Sequence, residues 1–445
     1  MLRNFFKNIL NLFVFGCALS LNAHNFPKDF YFGVGNAEFQ NSGAELTGKS
    51  NWSEFEQQKG VITGGVTSGS ANNFWHNYRQ DIKIAKELGL TMFRFSIDWA
   101  TIEQEDGVIN GEAIKHYHEM IDAIKEAGME PMVTLHHFTH PLWFEQKGGW
   151  VKEENISYFK CFSQRMFTEF SEKIKYWITI NEPAIFAFSG YLLGIHAPGK
   201  VMSRDAVLVL KNMLQAHVET YKALKALPNG QEAQVGIVHN YFKFTQLHGV
   251  EPLSYALTKY FTVVTNTLTM EFFKTGTFRT GFLQLCSLDY ANEDAPQSFD
   301  FFGLNFYGNP VIGWNRSTIF GPTHHEGQVL GDFALPVDPQ GFYDALVACG
   351  KLGKPVFVTE NGLADAQDDR RPAMIPAYLA ALDKALGDGV DVRGYIYWTL
   401  RDNYEWHEGW TKLFGLVHRD GTIKDSAYVY KNLVELYSQS PIAKL

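Results

Sequence analysis

Two apolar runs in this chain end in the same way. "YWITI", from Tyr176, runs into Asn181 and Glu182 and is stopped by Pro183; "VFVT", from Val356, runs into Glu360 and Asn361 and is stopped by Gly362. Polar residues beside a proline or glycine are ordinary punctuation where a strand reaches the surface. A repeated glutamate–asparagine pair says more, because two carboxyl groups brought together can divide labour. One, held ionised, can attack, while the other, held protonated, can donate its proton to a leaving group. Arg94 and Tyr307, if they converge on Glu360, favour its ionised form through opposite charge and hydrogen bonding. Glu182, near another carboxylate and ringed by apolar residues, is expected to keep its proton.

Such a division needs a scaffold that brings Glu182 and Glu360, 178 positions apart, onto one face. The chain supplies a repeating cadence of helix, glycine and strand. "DIKIAKELG" leads to "LTMFRFSIDW", "AIKHYHEMIDAIKEAG" to "MEPMVTLHHF", "YDALVACGKLG" to "KPVFVTENG", and "YLAALDKALGDG" to "VDVRGYIYWTL". In the second of these helices Ile114, Tyr117, Ile121 and Ile124 share one face, and Gly128 stands where a left-handed residue would end it. The strands are apolar on both faces, as when helices cover one side and a closed core fills the other. Further strands are expected at "FYFGVGNA", "YWITI", "QVGIVHNY" and "FDFFGLNFY", which makes eight. The expected fold is α/β, a (β/α)8 TIM barrel with extended βα loops, in which functional residues gather at the C-terminal strand ends. Arg94 falls within the second strand, His137 past the third, Asn181 and Glu182 past the fourth, Asn305 and Tyr307 past the sixth, Glu360 past the seventh and Trp398 at the end of the eighth. A doubly wound open sheet would instead collect ligand residues at one switch point.

The rest of the sequence bounds the answer. The formal net charge is −9 and no dense Lys/Arg run tracks a phosphate backbone, which argues against nucleic acid as a partner. Residues 1–23 carry Arg3 and Lys7 ahead of an apolar run to Leu21 and small residues to Ala23, the pattern of an export signal. The run is short for the roughly 30 Å of a bilayer core, so no membrane span is expected once it is removed. "VFGC" at Val14–Cys17 weakly resembles a lipoprotein cleavage site, an anchored alternative. Residues 24–445 then form a single domain with three scattered cysteines, Cys161, Cys286 and Cys349, an odd number that argues against a disulfide framework. "HHFTH", with His136 and His140 flanking His137, lacks the carboxylate or cysteine spacing of a metal site, and no cofactor is implied.

Glycoside hydrolysis with retention of configuration is the reaction that needs two glutamates on such a rim. One carboxylate attacks the anomeric carbon and one carboxylic acid, about 5 to 5.5 Å away, protonates the leaving oxygen. "WITINEP" at Trp177–Pro183 and "VTENG" at Val358–Gly362 resemble the two signatures of glycoside hydrolase family 1, chiefly β-glucosidases on a (β/α)8 barrel. "RFSIDW" at Arg94–Trp99, "TLHHFTHPLW" at Thr134–Trp143, "GLNFY" at Gly303–Tyr307 and "YWTLRDNYEW" at Tyr397–Trp406 follow in the family's order. The resemblance implies Glu360 as nucleophile and Glu182 as acid/base, with Arg94, Asn305 and Tyr307 in the catalytic group. It implies that Gln40, His137, Asn181, Glu405 and Trp406 bind the sugar hydroxyls, that Trp398 forms a stacking floor and that Phe414 narrows the site. One departure stands out: "FQNSGA" places Ser42 where the family's opening signature has a glutamate, which leaves the support of that loop open. Glu405 is present, whereas the branch acting on 6-phosphorylated sugars usually has serine there. The substrate expected is a small β-glycoside or oligosaccharide with a terminal β-linked glucose or a stereochemical relative. A catalytically inactive sugar-binding barrel and a transglycosidase with the same machinery are the alternatives.

Overall fold

The computed structural model describes residues 24–247, 252–280, 288–313 and 321–439. The expected leader at 1–23, with Cys17, and Cys286 lie outside the described residues. Eight parallel strands close into a barrel: β1 (Tyr31–Gly35), β2 (Met92–Ser96), β3 (Glu130–His136), β4 (Tyr176–Asn181), β5 (Gln234–Asn240), β6 (Phe301–Phe306), β7 (Val356–Asn361) and β8 (Val392–Trp398). Each pairs with the next, and β8 returns to β1 with Tyr31 opposite Gly394 and Gly35 opposite Trp398. The eight strands are the eight runs expected from the sequence.

The helices that follow the strands are α1 (Phe74–Glu87), α2 (Gly111–Glu126), α3 (Ile156–Phe170), α4 (Asp205–Lys225), α5 (Leu268–Thr275), α6 (Pro339–Gly350), α7 (Arg371–Gly387) and α8 (Asp425–Ser438). α2 starts where the Asn110 side chain accepts the Ala113 N–H at 3.2 Å, and it ends before Gly128 at φ +81°. Its buried face carries Tyr117, Ile121 and Ile124 as expected, with Met120 and Ala113 added, while Ile114 lies only partly buried at its edge.

Along β2 the side chains alternate between two cores, which is why the strands read as apolar throughout. Met92 points inward to join Met132, Tyr176, Ile178, Val238, Phe301, Phe357 and Ile396 in a plug inside the barrel. Phe93 points outward into the layer between strands and helices, together with Val133, Trp177, Val235, Phe302 and Tyr395. A buried side chain of this size contributes about 1.5–3 kcal/mol. The two cores therefore hold a rigid frame that can tolerate strain at its upper rim.

Asn305 and Glu360 lie inside their strands rather than past them, and Asn181 is the last residue of β4. The cause is a set of irregularities at the upper ends. Pairing slips between Leu304 and Asn305 on β6, between Val358 and Asn361 on β7, and between Ile178 and Asn181 on β4. Bulges of this kind re-aim side chains at barrel rims. Here they turn polar residues over the mouth without ending the ladder.

Candidate active site

The upper ends of the strands surround a cavity of about 270 Å³. Gln40, His137, Asn181, Glu182, Tyr307, Glu360, Trp398, Glu405, Trp406 and Phe414 all line it. Arg94 and Asn305 lie beneath, fully buried, each bonded to one of the two glutamates. The structure thus gathers every site residue expected from the sequence around one space.

Arg94 is the hub. From β2 its Nη1 donates to Glu360 Oε1 at 2.7 Å and to the Thr359 carbonyl at 2.9 Å, Nη2 donates to Asn181 Oδ1 at 2.7 Å, and Nε donates to Thr134 Oγ1 at 3.3 Å. The Tyr307 hydroxyl donates to the other Glu360 oxygen at 2.6 Å. Burial and the charge of Glu360 push the Tyr307 phenol well above its ordinary pKa, so it remains a donor. Both oxygens of Glu360 accept hydrogen bonds, the arrangement that suits a carboxylate.

Glu182 meets a different environment. Its Oε1 accepts from Asn305 Nδ2 at 2.6 Å, and Asn305 is fixed in turn by Thr359 Oγ1, which donates to Asn305 Oδ1 at 2.7 Å. Burial first, and then the charge of Glu360, push the Glu182 carboxyl well above the usual range; the Asn305 bond and Arg94 act in the opposite direction. Its backbone is left-handed, at φ +47° and ψ +60°, immediately before Pro183 opens the next helix. Residues in such a conformation cost on the order of 1–3 kcal/mol and persist where the surroundings over-determine them. Phe138 and Trp406, also on the cavity wall, are left-handed as well, at φ +67° and +49°.

The remaining wall is polar on one side and aromatic on the other. Gln40 Nε2 donates to Glu405 Oε2 at 3.0 Å. Burial and the nearby Glu360 push the Glu405 carboxyl up to about 8. His137 is held neutral, its pKa well below the ordinary value through burial and the Arg94 charge, and its Nε2 lies 3.3 Å from Asn181 Nδ2. The Trp398 ring lies nearly parallel to His137, with centroids 5.7 Å apart. Phe414 packs edge-on against Tyr307 at 5.5 Å. Gly362 explains the glycine after Glu360–Asn361, since a Cβ there would stand 2.1 Å from the Trp398 carbonyl oxygen. This array offers hydroxyl partners at one edge and an indole face below, which matches a sugar ring with its polar rim and C–H face.

His136 and His140 fall outside the cavity. They contact each other at 3.3 Å, and His140 contacts Glu145 at 3.0 Å. Among the described residues no group of three His, Cys, Asp or Glu is placed to hold a metal ion.

The model of glycosyl hydrolase family 1 matches residues 22–438. The chain belongs to that family. It is 30% identical to β-glucosidase A of Thermotoga maritima over 93% of this chain and 99% of that one. It is 29% identical to a 1,4-β-D-glucan glucohydrolase of Thermotoga neapolitana (92% and 98%) and to a 6-phospho-β-galactosidase of Clostridium acetobutylicum (92% and 97%). The Thermotoga maritima β-glucosidase solved with glucoimidazole superposes with a TM-score of 0.83 at 28% identity, over 94% of this chain and all of that one.

The departure at Ser42 has a structural answer within this family 1 chain. Ser42 Oγ donates to the Glu38 carboxyl, one helical turn earlier, and accepts the Trp75 N–H at 3.0 Å. Glu38 thus gives the Ser42 hydroxyl a carboxyl partner on the helix that carries Gln40. It is fully buried, and burial pushes it up to about 8. The Glu38/Ser42 spacing of four was present in the sequence and was the usable signal. Thr134 and Thr359, which steady Arg94 and Asn305, gave none, because a threonine in an apolar strand is unremarkable there.

Proposed function

We propose that this family 1 enzyme is a retaining β-glycosidase that removes β-linked glucose, or a close stereochemical relative, from the non-reducing end of small glycosides. The observation that carries the reading is the unequal pairing of the two glutamates. Glu360 holds Arg94 and Tyr307, both donors, and acts as nucleophile on the anomeric carbon. Glu182 holds only an amide and keeps its proton for the leaving oxygen. Once the sugar esterifies Glu360, the negative charge that helps raise Glu182 is gone. Glu182 can then act as base toward the water that releases the sugar. Asn305 and Arg94 position the two glutamates, while Gln40, His137, Asn181, Glu405 and Trp406 hold the hydroxyls over Trp398, with Phe414 closing the side. An inactive sugar-binding barrel has no need of this division between the two carboxyls.

The test is the stereochemistry of the first product. NMR of 4-nitrophenyl β-D-glucoside hydrolysis should show β-glucose before mutarotation, whereas α-glucose as first product would overturn the assignment. Added alcohol should yield some alkyl glucoside, and the ratio to glucose measures the transglycosidase alternative. An unphosphorylated substrate is favoured because Glu405 stands where a 6-phosphate would need a cation.

Residues 24–445 are read as a single catalytic domain, exported on the 1–23 leader. What supports this is that the chain is already docked at its first described residues: His24 Nε2 lies 3.0 Å from the Gln439 carbonyl, and Phe26 stacks on Tyr437 at 4.3 Å. N-terminal sequencing should find the mature chain starting close to His24; an intact leader would refute it, and a lipid on Cys17 would favour the anchored form. No described helix is long and apolar enough to cross a membrane.

A further inference from the structure

The cavity lining extends beyond the residues assigned to the sugar. Beyond the glutamates its wall is made by Ile185, Phe188, Leu193, Phe242, Phe244 and Leu335. Three of these rings form one cluster through Phe261, with Phe188–Phe261 centroids at 5.6 Å, Phe244–Phe261 at 5.4 Å and Phe242–Phe244 at 6.0 Å. The π-helical turn Val263–Thr267, between β5 and α5, completes this wall and brings Thr265 to the cavity with its hydroxyl committed to the Phe261 carbonyl at 2.8 Å. Among the described lining residues the only Asp, Glu, Lys or Arg side chains are Glu182, Glu360 and Glu405, all three assigned to the sugar site. Apart from the sugar-binding group, the polar side chains of the lining are Ser189, His196, Asn240, Thr265 and His407.

The apolar character continues outward. Nine large apolar side chains are exposed among the described residues, and all but Tyr428 lie on segments that join a strand to its following helix, the side of the barrel that carries the mouth. Val201 and Met202, 67% and 72% exposed, and Leu193 at 43% sit on the β4–α4 connection; Tyr255 at 59% sits between β5 and α5.

We infer that the outer half of the cavity binds an apolar aglycone, aromatic or long-chain alkyl, in preference to a second sugar. A second glucose would bring several hydroxyls against Phe188, Phe242, Phe244 and Leu335, and buried hydroxyls without partners are costly. An alkyl chain or aryl ring loses nothing there and removes the partly exposed Phe242 and Phe244 from water. The inference deepens the β-glycosidase reading and rests on it.

The test uses a homologous series in which the leaving alcohol keeps nearly the same acidity, so that only binding changes. Methyl, butyl, hexyl and octyl β-D-glucosides, below their micelle concentrations, and cellobiose are compared by kcat/KM with the full-length enzyme. A fully buried methylene is worth up to about fourfold, so kcat/KM should rise at least tenfold from methyl to octyl, with cellobiose below octyl glucoside. Phe244→Ser should reduce the octyl-to-methyl ratio at least threefold; Phe242→Ser takes its place if the first variant does not fold. A ratio within twofold for the wild type, or cellobiose preferred over octyl glucoside, overturns the inference while leaving the β-glycosidase reading intact. An enzyme inactive on every member overturns that reading and the inference with it.

Discussion

The ends of β4 and β7 carry the same residue under different electrostatics. Glu360, on β7, faces a guanidinium and a phenolic hydroxyl; Glu182, just past β4, faces an amide and the charge of Glu360. Both are buried, at 4% and 5% exposure, so burial alone does not distinguish them. The difference lies in the number of cations. Arg94 is the only cationic side chain paired with a carboxylate of the cavity among the described residues, and it is committed to Glu360 and Asn181. A carboxyl that shares the space without a cation must hold its proton, and this sorts the roles without any difference in residue type.

Removing the paired member should have the largest effect. Glu360→Ala deletes the proposed nucleophile, and turnover of an aryl glucoside should fall by at least about a thousandfold, roughly 4 kcal/mol of transition-state stabilisation. Circular dichroism should be unchanged, because the side chain packs against polar partners rather than the core. Retention of more than a tenth of wild-type activity would show that the cation pairing does not mark the nucleophile.

Changing the unpaired member should have an effect that depends on the substrate. Glu182→Gln should cost about 10²-fold or more for alkyl glucosides, whose leaving group needs a proton. For 2,4-dinitrophenyl glucoside the first step should be nearly spared and a burst should appear, because the second step still needs a base. The wild-type pH profile carries the same information. Glu182 is raised, so its acid form survives at neutral pH, and kcat/KM for an alkyl glucoside should fall as pH rises through its pKa. Equal losses across the leaving-group series would remove Glu182 from the acid role and dissolve the contrast between the two strand ends.

The sequence made the two glutamates and all eight strands legible for a common reason. Strands buried on both faces read as unbroken apolar runs, so an abrupt polar residue marks the rim. What it hid depends on geometry between distant segments. Nothing local foretells the pairing slips that put Asn305 and Glu360 inside β6 and β7, since a bulge is decided by the neighbouring strand. The outer wall was equally illegible: Phe188, Phe244 and Leu335 come from separate connections, with no period to link them. The Glu38–Ser42 contact was legible in principle, as a four-residue spacing on one short helix, yet only the fold shows the pair buried against each other.

Glu405 extends the comparison to a third carboxyl in the same space, also without a cation of its own. It is raised to about 8 and accepts from Gln40. A sugar that offers it hydroxyl donors should bring out its ionised form, and a hydrogen bond to a charged group contributes roughly 1.5–3 kcal/mol. Glu405→Ser should therefore lower kcat/KM for an aryl glucoside by about tenfold or more. The aryl xyloside, which lacks the C6 hydroxymethyl group, should lose much less. Parallel losses would show that Glu405 supports the loop rather than reading the sugar.

The smallest effect tests whether the rule holds away from the chemistry. Glu38 is fully buried on the helix that carries Gln40, near Asp98, and bonded to Ser42; burial and then the Asp98 charge hold it at about 8, with the Ser42 bond acting the other way. Its value in the unfolded chain is near 4.5. Below that pH both states carry the proton and Glu38 contributes nothing to pH dependence. Between 4.5 and about 8 the unfolded chain releases the proton while the folded protein keeps it, so stability falls as pH rises across this window. Glu38→Gln keeps an acceptor for Ser42 and carries no titrating proton. The buried histidines, whose lowered values oppose folding at acidic pH, are common to both proteins and cancel in the difference. The Tm of the variant relative to wild type should therefore rise between pH 5 and pH 8, by roughly 2–5 °C for a chain of this size. A difference that stays flat across the window would mean that Glu38 is already ionised in the fold. The absence of a cation would then not be what keeps a carboxyl protonated in this protein, and the contrast between Glu182 and Glu360 would need another cause.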